Sequence, residues 1–140
     1  MSVTKQEFIN ELNKDLEFEY AAAIQYIQHA ALITGAQYNA ITKELVVHAN
    51  EEMQHAQQLS VLIVDLNGVP TTEVEARKVA PAAEAMLSQD LAGENLAITR
   101  YKERIKQAEE LSEFGVRKIL EDILVDEEEH RRDLLTVLAK

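Results

Sequence analysis

The sequence predicts an all-α chain folded as a four-helix bundle, on three observations: helix breakers are scarce, apolar residues recur at helical spacing in four long segments, and the two halves of the chain repeat each other. Four glycines and two prolines occur in 140 residues, and Ala, Leu, Glu, Gln and Lys dominate between them. That length is close to one ordinary domain and suffices for a hydrophobic core without disulfide or metal staples. With 46% apolar and 28% charged residues the composition is globular, and no run approaches the roughly 18 uncharged apolar residues of a membrane span.

The first helix is expected from about Lys5 to Thr34, with Leu12, Leu16, Ala22, Ala23, Ala30 and Ile33 on its stripe and Gly35-Ala36-Gln37 breaking it. The second is expected from about Tyr38 to Asn67, on the stripe Ile41, Leu45, Leu59, Leu62 and Leu66, with Gly68 where a left-handed C-terminal cap is wanted. The third should run from about Ala83 to Ala108 on Leu87, Leu91, Ile98 and Ile105. The fourth should run from about Glu113 to Ala139 on Val116, Leu120, Ile123, Leu134 and Leu138.

Short connections make helices one and two, and three and four, antiparallel neighbours. The segment from Gly68 to Ala82 differs, carrying both Pro70 and Pro81. Fully extended it spans at most about 50 Å, against about 45 Å for a helix of some 30 residues. It can therefore return the chain to the starting end, leaving helices two and three parallel. An offset of 75 maps Leu12 onto Leu87, Asp15 onto Asp90, Glu19 onto Glu94, Tyr26 onto Tyr101, Glu52 onto Glu127 and His55 onto His130. Two similar hairpins packed about a pseudo-twofold axis follow from that constancy.

The formal net charge of −11 would repel a phosphate backbone or an anionic membrane, so cations are the expected partners, with no nucleic acid and no membrane. Lys102, Arg104, Lys106 and Arg131-Arg132 are interspersed with acids and make no nucleic-acid footprint. Zero cysteines exclude disulfides, zinc-thiolate sites, iron–sulfur clusters and thiol nucleophiles. The first residues lack the basic and apolar regions of a secretion signal, which makes the cytoplasm the default expectation.

Each apolar stripe is interrupted near its middle. Glu19 and Tyr26 fall on the first, Glu52 and His55 on the second, Glu94 and Tyr101 on the third, Glu127 and His130 on the fourth. Four carboxylates and two imidazoles in one core are untenable unless something positive offsets them. Two divalent cations neutralise four carboxylates; one would leave a net buried charge. Glu-x-x-His, present twice, sets carboxylate and imidazole on one helical face where both reach one ion. A lone copy is common on a solvated face. Two copies offset by 75, each with a Glu 33 residues upstream and all on apolar stripes, are not. Mixed nitrogen and oxygen ligation suits iron or manganese.

Around these six, the Tyr26 and Tyr101 hydroxyls would donate to carboxylates near the metals, or supply an electron to bound oxygen. Asp15 and Asp90 are either acceptors for the outward N–H groups of His130 and His55 or ordinary helix-surface aspartates. His48 reads as an accessory ligand or a hydrogen-bonded rim histidine, and His29 as structural. In Asp126-Glu127-Glu128-Glu129 helical spacing aims only Glu127 at the core and leaves its neighbours solvated.

At these residues the sequence resembles the ferritin-like di-iron proteins, most of all bacterioferritin. The segments carrying the resemblance are Glu19 to Ala30, Glu51-Glu52-Met53-Gln54-His55-Ala56, Asp90-Leu91-Ala92-Gly93-Glu94 and Asp126-Glu127-Glu128-Glu129-His130. It implies a ferritin-like bundle with a ferroxidase centre of Glu19, Glu52, His55, Glu94, Glu127 and His130, in which Glu52 and Glu127 bridge two iron ions that manganese or zinc could replace. Fe(II) would be oxidised by dioxygen or hydrogen peroxide. Met53 matches the bacterioferritin haem-ligand position at a dimer interface, although methionine is also a common gap-filler between helices. Only ten residues follow His130, too few for the end of helix four and a further short helix. This departure from the bacterioferritin pattern makes a homodimer or a higher homo-oligomer short of a 24-subunit storage shell the expectation, and iron oxidation is expected more firmly than storage. Two rival readings are a di-manganese or di-iron catalase or peroxidase using the same ligands, and a metal-free helical interaction module.

Overall fold

The computed structural model describes residues 2–139, and among them every long element is helical: α1 (Lys5–Leu32), α2 (Asn39–Asp65), α3 (Ala83–Glu110) and α4 (Phe114–Leu138), with a 3-10 turn at Ala36–Tyr38. α1 begins at a capping box. Thr4 Oγ1 accepts from the Glu7 amide at 3.1 Å and Glu7 Oε1 accepts from the Thr4 amide at 3.0 Å, satisfying two amides that the first turn would otherwise leave unpaired. It ends two residues earlier than its stripe suggested, where Ile33 turns extended and Gly35 adopts φ +115°.

The end of α2 corrects an expectation. Asn67, not Gly68, takes the left-handed position (φ 69°), and the Gly68 amide reaches back to the Ile63 carbonyl at 2.8 Å. Asparagine tolerates that conformation. Glycine is required next to it for space, because a Cβ on Gly68 would lie 2.7 Å from Ile9 Cγ2.

α1 packs on α2 and α3, and α4 packs on α3 and α2. Cross-helix bonds fix the directions. Asp15 meets Arg104 while Gln25 meets Asp90, so α1 and α3 run antiparallel; His48 meets Asp133 while His55 meets Asp126, so α2 and α4 do too. α2 and α3 are therefore parallel, on opposite corners. The connection between them is an extended strap: Asn13 donates to the Val69 carbonyl at 3.1 Å, the Glu75 amide donates to Glu17 at 3.4 Å, and Gln89 donates to Lys78 at 3.0 Å.

The apolar core is split. Phe8, Leu12, Leu16, Leu59, Ile63, Leu120 and Ile123 fill one end of the bundle, and Ile33, Ile41, Leu45, Leu87 and Leu134 fill the other. Between them lies a belt of buried polar side chains. No helix among the described residues is long and apolar enough to cross a membrane.

Candidate metal centre

All six side chains singled out by the interrupted stripes are at most 2% exposed and meet in the belt. Their ligand atoms form two overlapping clusters, Glu19–Glu52–His55–Glu127 and Glu52–Glu94–Glu127–His130, each with its atoms within 4.8 Å of one another. Glu52 and Glu127 belong to both. His55 Nδ1 lies 3.4 Å from Glu19, 3.2 Å from Glu52 and 3.7 Å from Glu127. His130 Nδ1 lies 3.3 Å from Glu94, 3.5 Å from Glu52 and 3.2 Å from Glu127. Both imidazoles thus turn the same nitrogen inward, as the repeat demands.

The buried polar atoms without a hydrogen-bond partner include Glu19 Oε2, Glu52 Oε1, Glu94 Oε2, both Glu127 oxygens and the Nδ1 atoms of His55 and His130. Native interiors rarely tolerate one such atom, and here a ring of them faces a common centre. The donor set of four carboxylates and two imidazoles fits a pair of divalent cations of the iron or manganese kind.

Electrostatics point the same way. Burial, with Glu127 adding to it, pushes Glu19 up to about 7 and Glu94 up to about 8. Burial followed by Glu127 and Glu19 raises Glu52 well above the carboxylate range. Burial would raise Glu127 as well, but the close approach of His130 and Glu52, with His55 beyond them, holds it below its usual value. Burial disfavours charge on the imidazoles, yet Glu19 lifts His55 to about 10, while Glu127 and Glu94 lift His130 to about 11. Protons held among carboxylates and imidazoles in this way occupy the role that cations would take.

Beyond the six, sequence reasoning met corrections. Asp15 and Asp90 are neither surface residues nor partners of the site histidines. Asp15 is 3% exposed and accepts from Arg100 Nε at 2.6 Å and Arg104 Nε at 2.9 Å; Asp90 is 1% exposed and accepts from Gln25 Nε2 at 2.6 Å, with His29 Nδ1 at 2.9 Å. The antiparallel pairing of α1 with α3 places these partners opposite the aspartates, while the histidines sit on the far helices. His29 is buried against Asp90.

The outward nitrogens face each other's helices instead. His55 Nε2 lies 2.8 Å from Asp126, and His130 Nε2 lies 3.5 Å from Glu51. Asp126 is therefore not simply solvated: its carboxylate takes the outer N–H of His55 and fixes the tautomer that turns Nδ1 inward. The signal for both residues was present, since Glu51 and Asp126 are themselves related by the offset of 75.

Tyr101 donates to Glu19 Oε1 at 2.6 Å, across the helix pair rather than along its own helix, whereas the Tyr26 hydroxyl has no hydrogen-bond partner among the described residues. His48 is fully buried, with Nε2 3.1 Å from Asp133 and its ring stacked 4.0 Å from His130; burial, then His130, lowers its pKa to about 4. Together with Glu44 and Asp133 it forms a further group of ligand type. Met53 points outward from α2, 43% exposed and apart from the six.

Comparison with known proteins identifies the family. Residues 9–140 match the family model of the ferritin-like domain. The chain is 30% identical over 123 residues to the bacterioferritin of Brucella melitensis biotype 1, covering 87% of this chain and 76% of that one. It is 30% identical over 129 residues to the bacterioferritin of Mycobacterium leprae, covering 91% and 81%. A crystal structure of ferritin-like, diiron-carboxylate proteins from Bacillus anthracis str. Ames superposes with a TM-score of 0.93 at 33% identity, covering 99% of each chain. The chain belongs to the ferritin-like family.

Proposed function

We propose that the protein is a ferroxidase: it binds two Fe(II) ions as substrate among Glu19, Glu52, His55, Glu94, Glu127 and His130 and oxidises them with dioxygen or hydrogen peroxide, as part of iron handling. The observation that carries this reading is the ring of buried, unpartnered ligand atoms in two clusters sharing Glu52 and Glu127. The bacterioferritin relatives support iron as the metal. Each Fe(II) gives up one electron. Dioxygen accepting the pair with two protons leaves as hydrogen peroxide, and peroxide accepting a pair with two protons leaves as two waters.

The chain's own residues have separable parts. Glu52 and Glu127, shared by both clusters, would hold both ions. Glu19 and Glu94 each close one cluster from α1 and α3. Tyr101 and Asp126 orient Glu19 and His55. The two apolar ends of the core seal the belt from bulk water above and below. Exposed apolar side chains recur along α1 at Ile24 and Ile27, and along α2 at Met53, Val61 and Val64, which supports a homo-oligomer.

Stopped-flow oxidation of Fe(II) by the wild type, Glu52→Ala and His130→Ala tests the reading. The wild type is expected to oxidise two Fe(II) per chain rapidly, and both variants to lose the fast phase with helix content intact. Wild-type rates in either variant reject the assignment. Peroxide disproportionation by manganese-loaded protein, without Fe(II) turnover, would place the chain with the catalases instead.

A further inference from the structure

A cavity of about 230 Å³ opens between α1 and α3, and its floor is the metal centre: Glu19, Glu94, Tyr26 and Tyr101 line its deep end. Dioxygen and hydrogen peroxide need far less room, since a cavity of 150 Å³ already holds benzene. The walls are Phe18, Ala22, Leu96, Ala97 and the bare backbone of Gly93. Outside these stand two guanidinium groups, Arg77 on the exposed strap and Arg100 on α3.

Gly93 has no packing reason to be glycine. It lies inside α3, where glycine weakens a helix relative to alanine; its φ is not left-handed, and a Cβ there would meet nothing within 4 Å. It is exposed and lines the cavity, so a larger side chain there has open space over the mouth to occupy. Two polar side chains of the lining are buried and incompletely satisfied. Among the described residues the Tyr26 hydroxyl, on a residue 2% exposed, has no hydrogen-bond partner, and Gln25, 5% exposed, donates its amide to Asp90 while its carbonyl oxygen has none.

This wall does not suit a dication. Asp15 is matched by Arg100 and Arg104, and Asp90 faces His29 and Arg77, so no carboxylate before Glu19 and Glu94 is left to draw a cation inward. The opposite face of the centre, between α2 and α4, carries partly exposed carboxylates at Glu51, Asp126 and Asp133 beside the outer edges of the three histidines.

We infer that the α1–α3 cavity admits and holds the uncharged oxidant of the proposed reaction, dioxygen or hydrogen peroxide, while metal loads without using it. The inference rests on the ferroxidase reading for the identity of the oxidant. The apolar walls pass a small neutral molecule, the paired charges at the mouth leave no surplus carboxylate to attract a cation, and the free Tyr26 and Gln25 oxygens offer hydrogen bonds beside the candidate metal ligands.

Gly93→Leu, with Ala22→Leu on the facing helix as a second filling variant, tests it. Xenon-pressurised crystals of the wild type are expected to show xenon beside Gly93 and Ala97, and the filled variants to exclude it. Co(II) loading, followed by its visible absorption, should keep wild-type rate and stoichiometry. Single-turnover Fe(II) oxidation at limiting oxidant should slow roughly tenfold, and separate runs with dioxygen and with peroxide identify which of them the cavity admits. The inference is overturned if xenon does not enter the wild-type cavity, if Co(II) loading slows as much as oxidation does, or if a xenon-excluding variant oxidises iron at the wild-type rate with both oxidants. Failure of the wild type to oxidise Fe(II) at all would sink the ferroxidase reading and the assigned occupant with it, while intact xenon and Co(II) results would still mark the cavity as a site for neutral ligands.

Discussion

Glu19 and Glu94 are equivalent under the 75-residue repeat, yet they are not held alike. Tyr101 donates to Glu19 at 2.6 Å; its repeat mate Tyr26 leaves its hydroxyl unpartnered near the cavity floor. His55 is gripped by Asp126 at 2.8 Å, whereas the equivalent Glu51 stands 3.5 Å from His130, whose ring rests on neutral His48 instead. Even the flanking aspartates differ: Asp15 takes two arginines, and Asp90 takes Gln25 and His29, which occupy the repeat positions of those same arginines. The six inward-facing side chains keep the symmetry of the repeat while the groups around them differ. One half of the centre is preorganised and the other is looser, while both reach the cavity, through Glu19 and Glu94. Since outer hydrogen bonds fix ligand geometry and basicity, the Glu19–His55 half should bind the first ion and the Glu94–His130 half the second.

The largest expected effect is that of metal itself. Adding Co(II) or Fe(II) anaerobically should raise the melting midpoint by roughly 10 °C, because a ligand that binds only the folded chain stabilises it. Calorimetric titration should resolve two unequal steps, while His55→Ala should abolish the tighter step and His130→Ala the weaker. Identical steps in the wild type would erase the proposed difference between the halves.

Next in size is the pH dependence of the metal-free protein. In the folded chain Glu19 and Glu94 keep their protons up to about 7 and about 8 against an ordinary value of 4.5, so between those limits the folded state binds more protons than the unfolded one. Stability must then fall as pH rises through that window, and the raised imidazoles extend the decline upward. Melting in chelator at about pH 5.5 and about pH 8.5 checks the sign, and the midpoint should be higher at the acid value. Metal affinity should move the other way, because cations displace these protons.

Smaller effects sharpen the comparison directly. Tyr101→Phe removes the donor that holds Glu19 and should weaken the tighter step by roughly tenfold or more, while Tyr26→Phe should leave both steps nearly unchanged. Asp126→Asn should weaken the same step more than Glu51→Gln weakens the other, since only Asp126 is within hydrogen-bonding distance of its histidine. Isothermal titration of the four variants separates these outcomes, and equal effects within either pair would show that the two halves are supported alike.

The convergence of six side chains was legible in the sequence because a helix leaves a strict record: a charged residue on an apolar stripe has one direction to point, and the repeat doubled that record at Glu19, Glu52, His55, Glu94, Glu127 and His130. The crossover followed from the reach of Gly68 to Ala82. What escaped was the pairing between helices. The partners of Asp15 and Asp90 depend on which residues of α1 and α3 lie level with each other, a register that no single-helix pattern encodes. Asp126 was misread because helical spacing assigns it away from the core of α4, although that direction meets His55 on α2. The asymmetry of the tyrosines is likewise a matter of packing: identical residues at equivalent positions meet different neighbours.

The central claim is that six inward-facing side chains hold two cations. An anomalous-difference map at the iron edge, from crystals loaded with Fe(II), tests it most directly. Two peaks about 3.5–4 Å apart are expected, one against Glu19 and His55, the other against Glu94 and His130, with Glu52 and Glu127 between them. A map with no peak among these residues, or with a single peak under saturating iron, would contradict the account.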